Sequence, residues 1–315
     1  MGFPVADTGE VTEDSDVVVG LLTTSGDIDY LLGSDAGQWT AETISGSYGS
    51  SLVIDVDGNW TYTALNDHPD IEALNDGDTL IEVFNVSSNA GGSTVTITIN
   101  GATDPPCFVS GTLINTPSGP RPVETLQIGD LVLTRDDGPQ PIRWIAGARV
   151  DLTQPEFGKK FQPIRLAAHA LGPGIPDRDL LLSPQHRVVI SHSETSLLFG
   201  EREVLCAASH LVNGDTITRG TADEVTYFHI LFDCHQVITS NGCASESFFP
   251  GDIGLDRLET SQQDELFTLF PDLRSLPQSY GRTARMSLRA YEARLIRDRL
   301  LSAAPQVLFC GGDTL

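Results

Sequence analysis

The first hundred residues predict an all-β fold, and three observations carry that prediction. Apolar and polar residues alternate in Ser51-Leu-Val-Ile-Asp-Val and again in Ser93-Thr-Val-Thr-Ile-Thr-Ile, the period of a half-buried strand. Asp57-Gly58 is a hairpin signal, because glycine supplies the positive φ that tight hairpin turns need, and Trp60-Thr-Tyr62 opens the strand after it. Asn75-Asp-Gly77-Asp78 marks a further turn. Short strands at this spacing predict a β-sandwich over residues 8–100.

The charge distribution divides the chain. The 315 residues carry a net charge of −24, and residues 1–106 hold 18 Asp or Glu without a single Lys or Arg. Residues 107–315 hold the other 25 acids and all 19 basic residues, a net of −6. The shift falls at Asp104-Pro105-Pro106, where a proline pair disfavours helix and resists sheet pairing, so a linker is expected. So acidic a face repels nucleic acid and anionic lipid, which excludes both as partners. Its acids serve simple solubility as readily as an ion site.

The five cysteines (107, 206, 234, 243 and 310) are an odd number, with none in a C-x-x-C pair. A zinc ribbon is excluded and at least one free thiol is expected. No run of 18 apolar residues predicts a membrane span. Met1-Gly2-Phe3-Pro4-Val5-Ala6-Asp7 has neither a basic stretch nor an apolar core. Export would then use a route without a Sec signal, or the chain would belong to a longer one.

Gly46-Ser-Tyr48-Gly49 through Asp55-Val-Asp57-Gly58-Asn-Trp60-Thr-Tyr62, with Ala73-Leu74-Asn-Asp-Gly77-Asp78 and Thr96-Ile-Thr-Ile-Asn-Gly101, resembles a VCBS-type, cadherin-like repeat of bacterial surface proteins. The resemblance covers about residues 8–104. It implies an extracellular or cell-surface spacer or adhesive module with surface or matrix contacts. Calcium (Ca2+) is compatible with its clustered carboxylates. No Asp-x-Asp-x-Asp-Gly loop with a Glu twelve residues on is present, however, and a solvated acidic face explains the same residues.

The second segment opens Cys107-Phe108-Val109-Ser110-Gly111-Thr112-Leu113-Ile114, followed by Gly119, Pro122-Val123-Glu124-Thr-Leu126, Gly129-Asp130 and Val132-Leu133-Thr134. A second block is Leu180-Leu-Leu-Ser183-Pro184-Gln185-His186. A third is Tyr227-Phe-His229-Ile-Leu-Phe-Asp233-Cys234-His235 through Asn241-Gly242, with Ser245-Glu246-Ser247 after it. Together with Gln140-Pro141-Ile-Arg-Trp144, these blocks resemble the Hedgehog/intein-like (Hint) self-processing domain over about residues 107–253. Ser183 stands where inteins and hedgehog proteins carry Thr. The fold class expected for the whole is mostly β: sandwich 1–104, all-β horseshoe-like Hint domain 105–253, short helical extension 254–315.

The resemblance implies autocatalytic self-cleavage or ligation at Pro106-Cys107 through an N–S acyl shift and a thioester. Cys107 would attack the carbonyl of Pro106; His186 would protonate the departing amide nitrogen; Ser183 would hydrogen-bond near the scissile peptide. His229, Asp233 and His235 are candidates for resolving the thioester. The partners are the chain's own N-terminal segment and water or an external nucleophile, and no cofactor is required. His229 could equally line a barrel interior. His169, His192 and His210 lie in no block. Cys206, Cys234 and Cys243 are expected as core thiols.

Two departures weigh against full splicing. Asn241 is preceded by Ser240 and followed by Gly242 and Cys243, which reads as an Asn-Gly turn, and the chain runs on for more than 60 residues. Pro106 crowds the carbonyl to be attacked. In the tail, Leu288, Tyr291 and Leu295 recur at helical spacing among Arg282, Arg285, Arg289, Arg294, Arg297 and Arg299. A terminal helix packed on the second domain is expected, its arginines either docking the acidic module or simply solvated. The competing readings are a non-catalytic surface protein with an inactive Hint fold and, last, a metal hydrolase, which lacks any His-x-x-x-His pair.

Overall fold

A computed structural model of the chain describes residues 3–13, 15–31, 39–68, 70–71, 74, 78–101, 106–153, 161–250, 260–274 and 277–302. The Asn75–Gly77 part of the expected turn, Asp104 and Pro105 of the linker, Cys310 and the final Gly311–Leu315 lie outside the described residues. The chain divides into two units. One comprises residues 1–105, 151–161 and 249–280; the other comprises 106–150, 162–248 and 281–315.

The first unit contains the β-sandwich. One sheet has the order Asp7–Thr12, Gly91–Asn100, Thr79–Ser88, and the other Leu21–Asp27, Asn59–Leu65, Ser51–Ile54, Glu42–Ser45. The alternation in the sequence becomes alternation in burial, since successive strand side chains face opposite sides. Leu52, Ile54, Trp60 and Tyr62 of one sheet and Phe84, Val86, Val95, Ile97 and Ile99 of the other form one apolar cluster. The Asp57-Gly58 hairpin is present, with Ile54 opposite Trp60 and Gly58 at φ +96°. The Asp55 carboxylate accepts the Asp57 and Asn59 amides at 2.8 and 3.0 Å, which closes the turn. The helix Thr260–Leu269 also belongs to this unit.

The second unit is built on two further sheets. The first has the order Trp144–Asp151, Glu224–Leu231, Phe108–Val109, Leu180–Leu182, Ile164–Leu166, Ile217–Arg219. The second includes Leu113–Thr116, Val237–Ser240, Cys243–Glu246, Arg187–Ser191 and Glu203–Ala207 in that order, closed by Met286–Ser287 at its edge. Asn241 and Gly242 both take positive φ and join Val237–Ser240 to Cys243–Glu246 as the expected two-residue turn. The Asn241 side chain is held there: its oxygen accepts the Leu113 amide at 2.8 Å and its nitrogen donates to the Asp179 carbonyl at 2.8 Å.

The tail from 281 onward is part of this unit. Met286–Ser287 pairs parallel with Val204 and Leu205, and Leu288, Ala293 and Ile296 join the same apolar core as Phe108 and Val188. The terminal helix, Ala290–Ser302, is present, but its buried face differs from the expected one. Tyr291 and Leu295 are 64% and 43% exposed, whereas Ala293 and Ile296 are buried. The Leu288-Tyr291-Leu295 spacing followed bulk and overlooked alanine, which faces a closely packed core because it is small. Among the described residues no helix is long and apolar enough to cross a membrane.

Candidate active site around Cys107

Strand register brings the site together. Phe108 pairs with Leu182 on one side and with Phe228 on the other. Both pairings are antiparallel, so the residue before Phe108 meets the residues after Leu182 and Phe228. Cys107 is thereby set between Ser183 and His229, residues 76 and 122 positions away in sequence. A tight turn, with the His186 amide donating to the Ser183 carbonyl at 3.1 Å, then returns His186 to the same neighbourhood.

The peptide bond between Pro106 and Cys107 is held on both sides. The Cys107 amide donates to Ser183 Oγ at 2.9 Å. On the other side, His229 Nδ1 lies 3.0 Å from the Pro106 carbonyl oxygen. A carbonyl only accepts, so Nδ1 carries the hydrogen in this contact. Nε2 of a neutral ring is then the free base, and Cys107 Sγ lies against the ring at 3.6 Å from Nδ1 and 3.7 Å from Nε2. The thiol is 7% exposed and Pro106 is buried, so the bond sits in a largely water-excluded place.

Aromatic rings surround the histidines. His229 stacks on Trp144 at 6.0 Å and meets the edge of Phe248 at 5.2 Å. Burial there pushes its pKa down to about 4, against the opposing pull of the Pro106 carbonyl. Phe108 packs against His186 at 4.4 Å. Burial also pushes His186 down to about 4, partly opposed by the charge of Glu246 and the backbone of Cys107. Neither ring nitrogen of His186 completes a hydrogen bond within the described residues. Two neutral imidazoles therefore flank one peptide bond at neutral pH.

Of the sequence candidates, Cys107, Ser183, His186 and His229 converge. Asp233 lies in the turn after Glu224–Leu231, 63% exposed and paired with Arg143 at 2.9 Å. His235 is buried with both ring nitrogens engaged: Nδ1 accepts the Ala284 amide at 2.9 Å and Nε2 faces the Ser247 carbonyl at 3.1 Å. Among the other thiols, Cys206 and Cys243 are buried and pushed up to about 12, which makes them inert. Cys234, expected in the core, is exposed instead, because it occupies the same surface turn as Asp233. His210 is buried and His192 caps the helix Ser193–Phe199 through its ring nitrogen. No group of three or more His, Cys, Asp or Glu among the described residues is arranged to hold a metal ion.

One buried acid carries no site role in the sequence reading. Glu246 is fully buried and accepts the Arg187 amide at 2.8 Å. The Arg187 guanidinium lies 3.5 Å from its carboxylate and His235 Nε2 lies 3.3 Å from it. Burial pushes the carboxyl up, but the Arg187 charge and the His235 hydrogen bond prevail and hold it below the usual carboxylate range. Its only sequence signal was its place in Ser245-Glu246-Ser247.

Comparison with known proteins agrees with this region. Residues 106–252 match the family described as Hint domain. A bacterial intein-like domain from Clostridium thermocellum is similar at 13% identity, covering 44% of this chain and 96% of that one, with a TM-score of 0.29. The gp41-1 intein is similar at 11% identity over 44% and 97% of the two chains, with a TM-score of 0.27. A class 3 split intein, AceL NrdHF, reaches 14% identity over 45% and 97%, with a TM-score of 0.30. No curated protein matches the chain. The segment from Pro106 to Asp252 is similar in sequence to the Hint domain.

Proposed function

We propose that this domain cleaves, or transfers, its own N-terminal segment at the Pro106-Cys107 bond through a thioester. The observation that carries the reading is the grip on one peptide bond from both sides, with a thiol 3.7 Å from an imidazole nitrogen. His229 Nε2 takes the thiol proton and Sγ attacks the Pro106 carbonyl carbon. The oxygen of the tetrahedral intermediate keeps the Nδ1 hydrogen bond, now from a cationic ring, where a fixed donor acts most strongly. His186 delivers a proton to the Cys107 nitrogen, the C–N bond breaks, and the acyl group remains on sulfur. His186 gives this proton from its transiently protonated form and returns to the neutral ring, and the thiol proton taken up by His229 replaces it, so no net proton is gained or lost. Water then yields a Pro106 carboxylate and a free Cys107; an amine or alcohol yields a ligated product.

Splicing does not fit, because the Asn241 side chain is committed to Leu113 and Asp179 and cannot swing onto its own carbonyl without losing both. The piece released or transferred is the acidic sandwich, whose surplus of carboxylates suits a soluble extracellular or cell-surface module. Mass spectrometry of the purified chain, with and without dithiothreitol, tests the reading. A break after Pro106, accelerated by thiol and lost in Cys107→Ala, is expected. A wild-type chain that stays intact under thiol overturns it and leaves an inactive Hint fold joined to a surface module.

A further inference from the structure

We propose that Glu246, held by Arg187 and His235, is a positioning residue that anchors His186 and balances the positive charge this ring carries before it delivers its proton to the Cys107 nitrogen. The inference rests on the self-cleavage reading above and names a group that acts behind it.

The geometry starts at the backbone. Glu246 closes the strand Cys243–Glu246, which pairs with Arg187–Ser191 through Ser245 opposite Val188. That register sets the carboxylate beside the peptide joining His186 to Arg187, and Oε1 accepts the Arg187 amide at 2.8 Å. The residue immediately after the proton donor is thus tied down by a buried charge.

The second half of the cradle comes from the C-terminal tail. The Ala284 amide donates to His235 Nδ1 at 2.9 Å, which leaves the hydrogen on Nε2 for the Ser247 carbonyl at 3.1 Å and sets the ring 3.3 Å from Glu246 Oε2. Arg285, next in sequence, is clamped to Glu203 at 2.9 Å and to Asp136 at 2.8 Å, which fixes where Ala284 sits. The tail therefore orients His235, and His235 orients the carboxylate. The charged and titratable groups facing His186 are Glu246, Arg187 and His229; those facing Glu246 are Arg187, His235 and His186.

A protonated His186 gains from the Glu246 charge and the Cys107 backbone and loses from His229 and Arg187, so the carboxylate is the charged neighbour that favours the proton-donating form.

The test uses the full chain. In a Cys107→Ala background, which does not cleave, histidine NMR follows the His186 titration with Glu246 intact and with Glu246→Gln. Removing the negative charge lowers the midpoint by about one pH unit. In the cleaving chain, Glu246→Gln slows processing about tenfold at neutral pH and displaces the pH–rate profile to lower pH. Glu246→Asp retains the charge and returns both readouts toward wild type, and it serves if the Gln variant does not fold. An unmoved His186 midpoint, or a uniform loss of rate with an unmoved profile, overturns the inference. A wild-type chain that never cleaves refutes the self-cleavage reading instead, and the titration still decides the role of Glu246.

Discussion

Two buried carboxylates, one in each unit, are held by partners of different kinds. In the sandwich, Glu82 accepts from the Ser47 amide at 2.6 Å, from Ser50 Oγ at 2.7 Å and from the Tyr62 hydroxyl at 2.6 Å. Its partners are neutral donors, two from the turn between Glu42–Ser45 and Ser51–Ile54 and one from the strand Asn59–Leu65 of the other sheet, and the Tyr62 hydroxyl is pushed far above its ordinary pKa by burial and by this bond. In the second unit, Glu246 is held by a guanidinium and an imidazole, and its charge reaches His186, a ring with both nitrogens unengaged. A buried polar group closed off by neutral donors fixes a fold. One that leaves a titratable ring beside it unengaged is ready to move a proton.

The largest expected effect lies in the second unit. His229→Ala removes both the base for Cys107 and the donor to the Pro106 carbonyl, and self-cleavage falls by about 10³-fold. Glu82→Ala leaves the rate of the folded chain unchanged, so a comparable loss there would break the contrast between the two acids. Acid comes next. His186 and His229 are held near 4, below an unfolded value near 6.5, so the unfolded chain binds more protons between those limits. Stability is full above about pH 6.5 and falls as pH drops toward 4, by a few kcal/mol in all. Denaturant unfolding monitored through Trp144 reports it, and a pH-independent midpoint over that range contradicts the buried neutral pair.

Smaller effects sharpen the picture. Ser183→Ala leaves the Cys107 amide without its acceptor at a cost of about 1–3 kcal/mol, read as roughly a tenfold or greater loss of cleavage rate. Tyr62→Phe removes one donor to Glu82 and destabilises the sandwich by about 1–2 kcal/mol in thermal unfolding while cleavage is unaltered. Asp233→Asn, on the surface, changes the rate less than about twofold, as exposed ion pairs contribute little.

Much of the site was legible because its residues sit in contiguous blocks. Cys107, Ser183 and His186 each flank the end of a short strand and His229 lies within Glu224–Leu231, where block spacing and strand register coincide. The Asn241-Gly242 and Asp57-Gly58 turns were legible for a different reason: their backbone conformation demands those residue types. Asp233 drew notice because an acid beside two histidines suggests chemistry, yet a turn between strands points its side chains outward. Glu246 had no signal beyond its place in Ser245-Glu246-Ser247 and Arg187 had none, since a strand buried on both faces hides which charged residues face each other. The contribution of Ala284 is a backbone N–H and leaves no trace in side-chain pattern at all.

The central claim is an acyl group carried on Cys107, and trapping that acyl group tests it most directly. Hydroxylamine added to the folded chain at neutral pH should release an N-terminal fragment ending in a Pro106 hydroxamate, with Cys107 as the new N-terminus of the other fragment, and Cys107→Ala should release neither. A wild-type chain that yields no Pro106 hydroxamate, or a Pro106 break that persists in Cys107→Ala, would contradict the account.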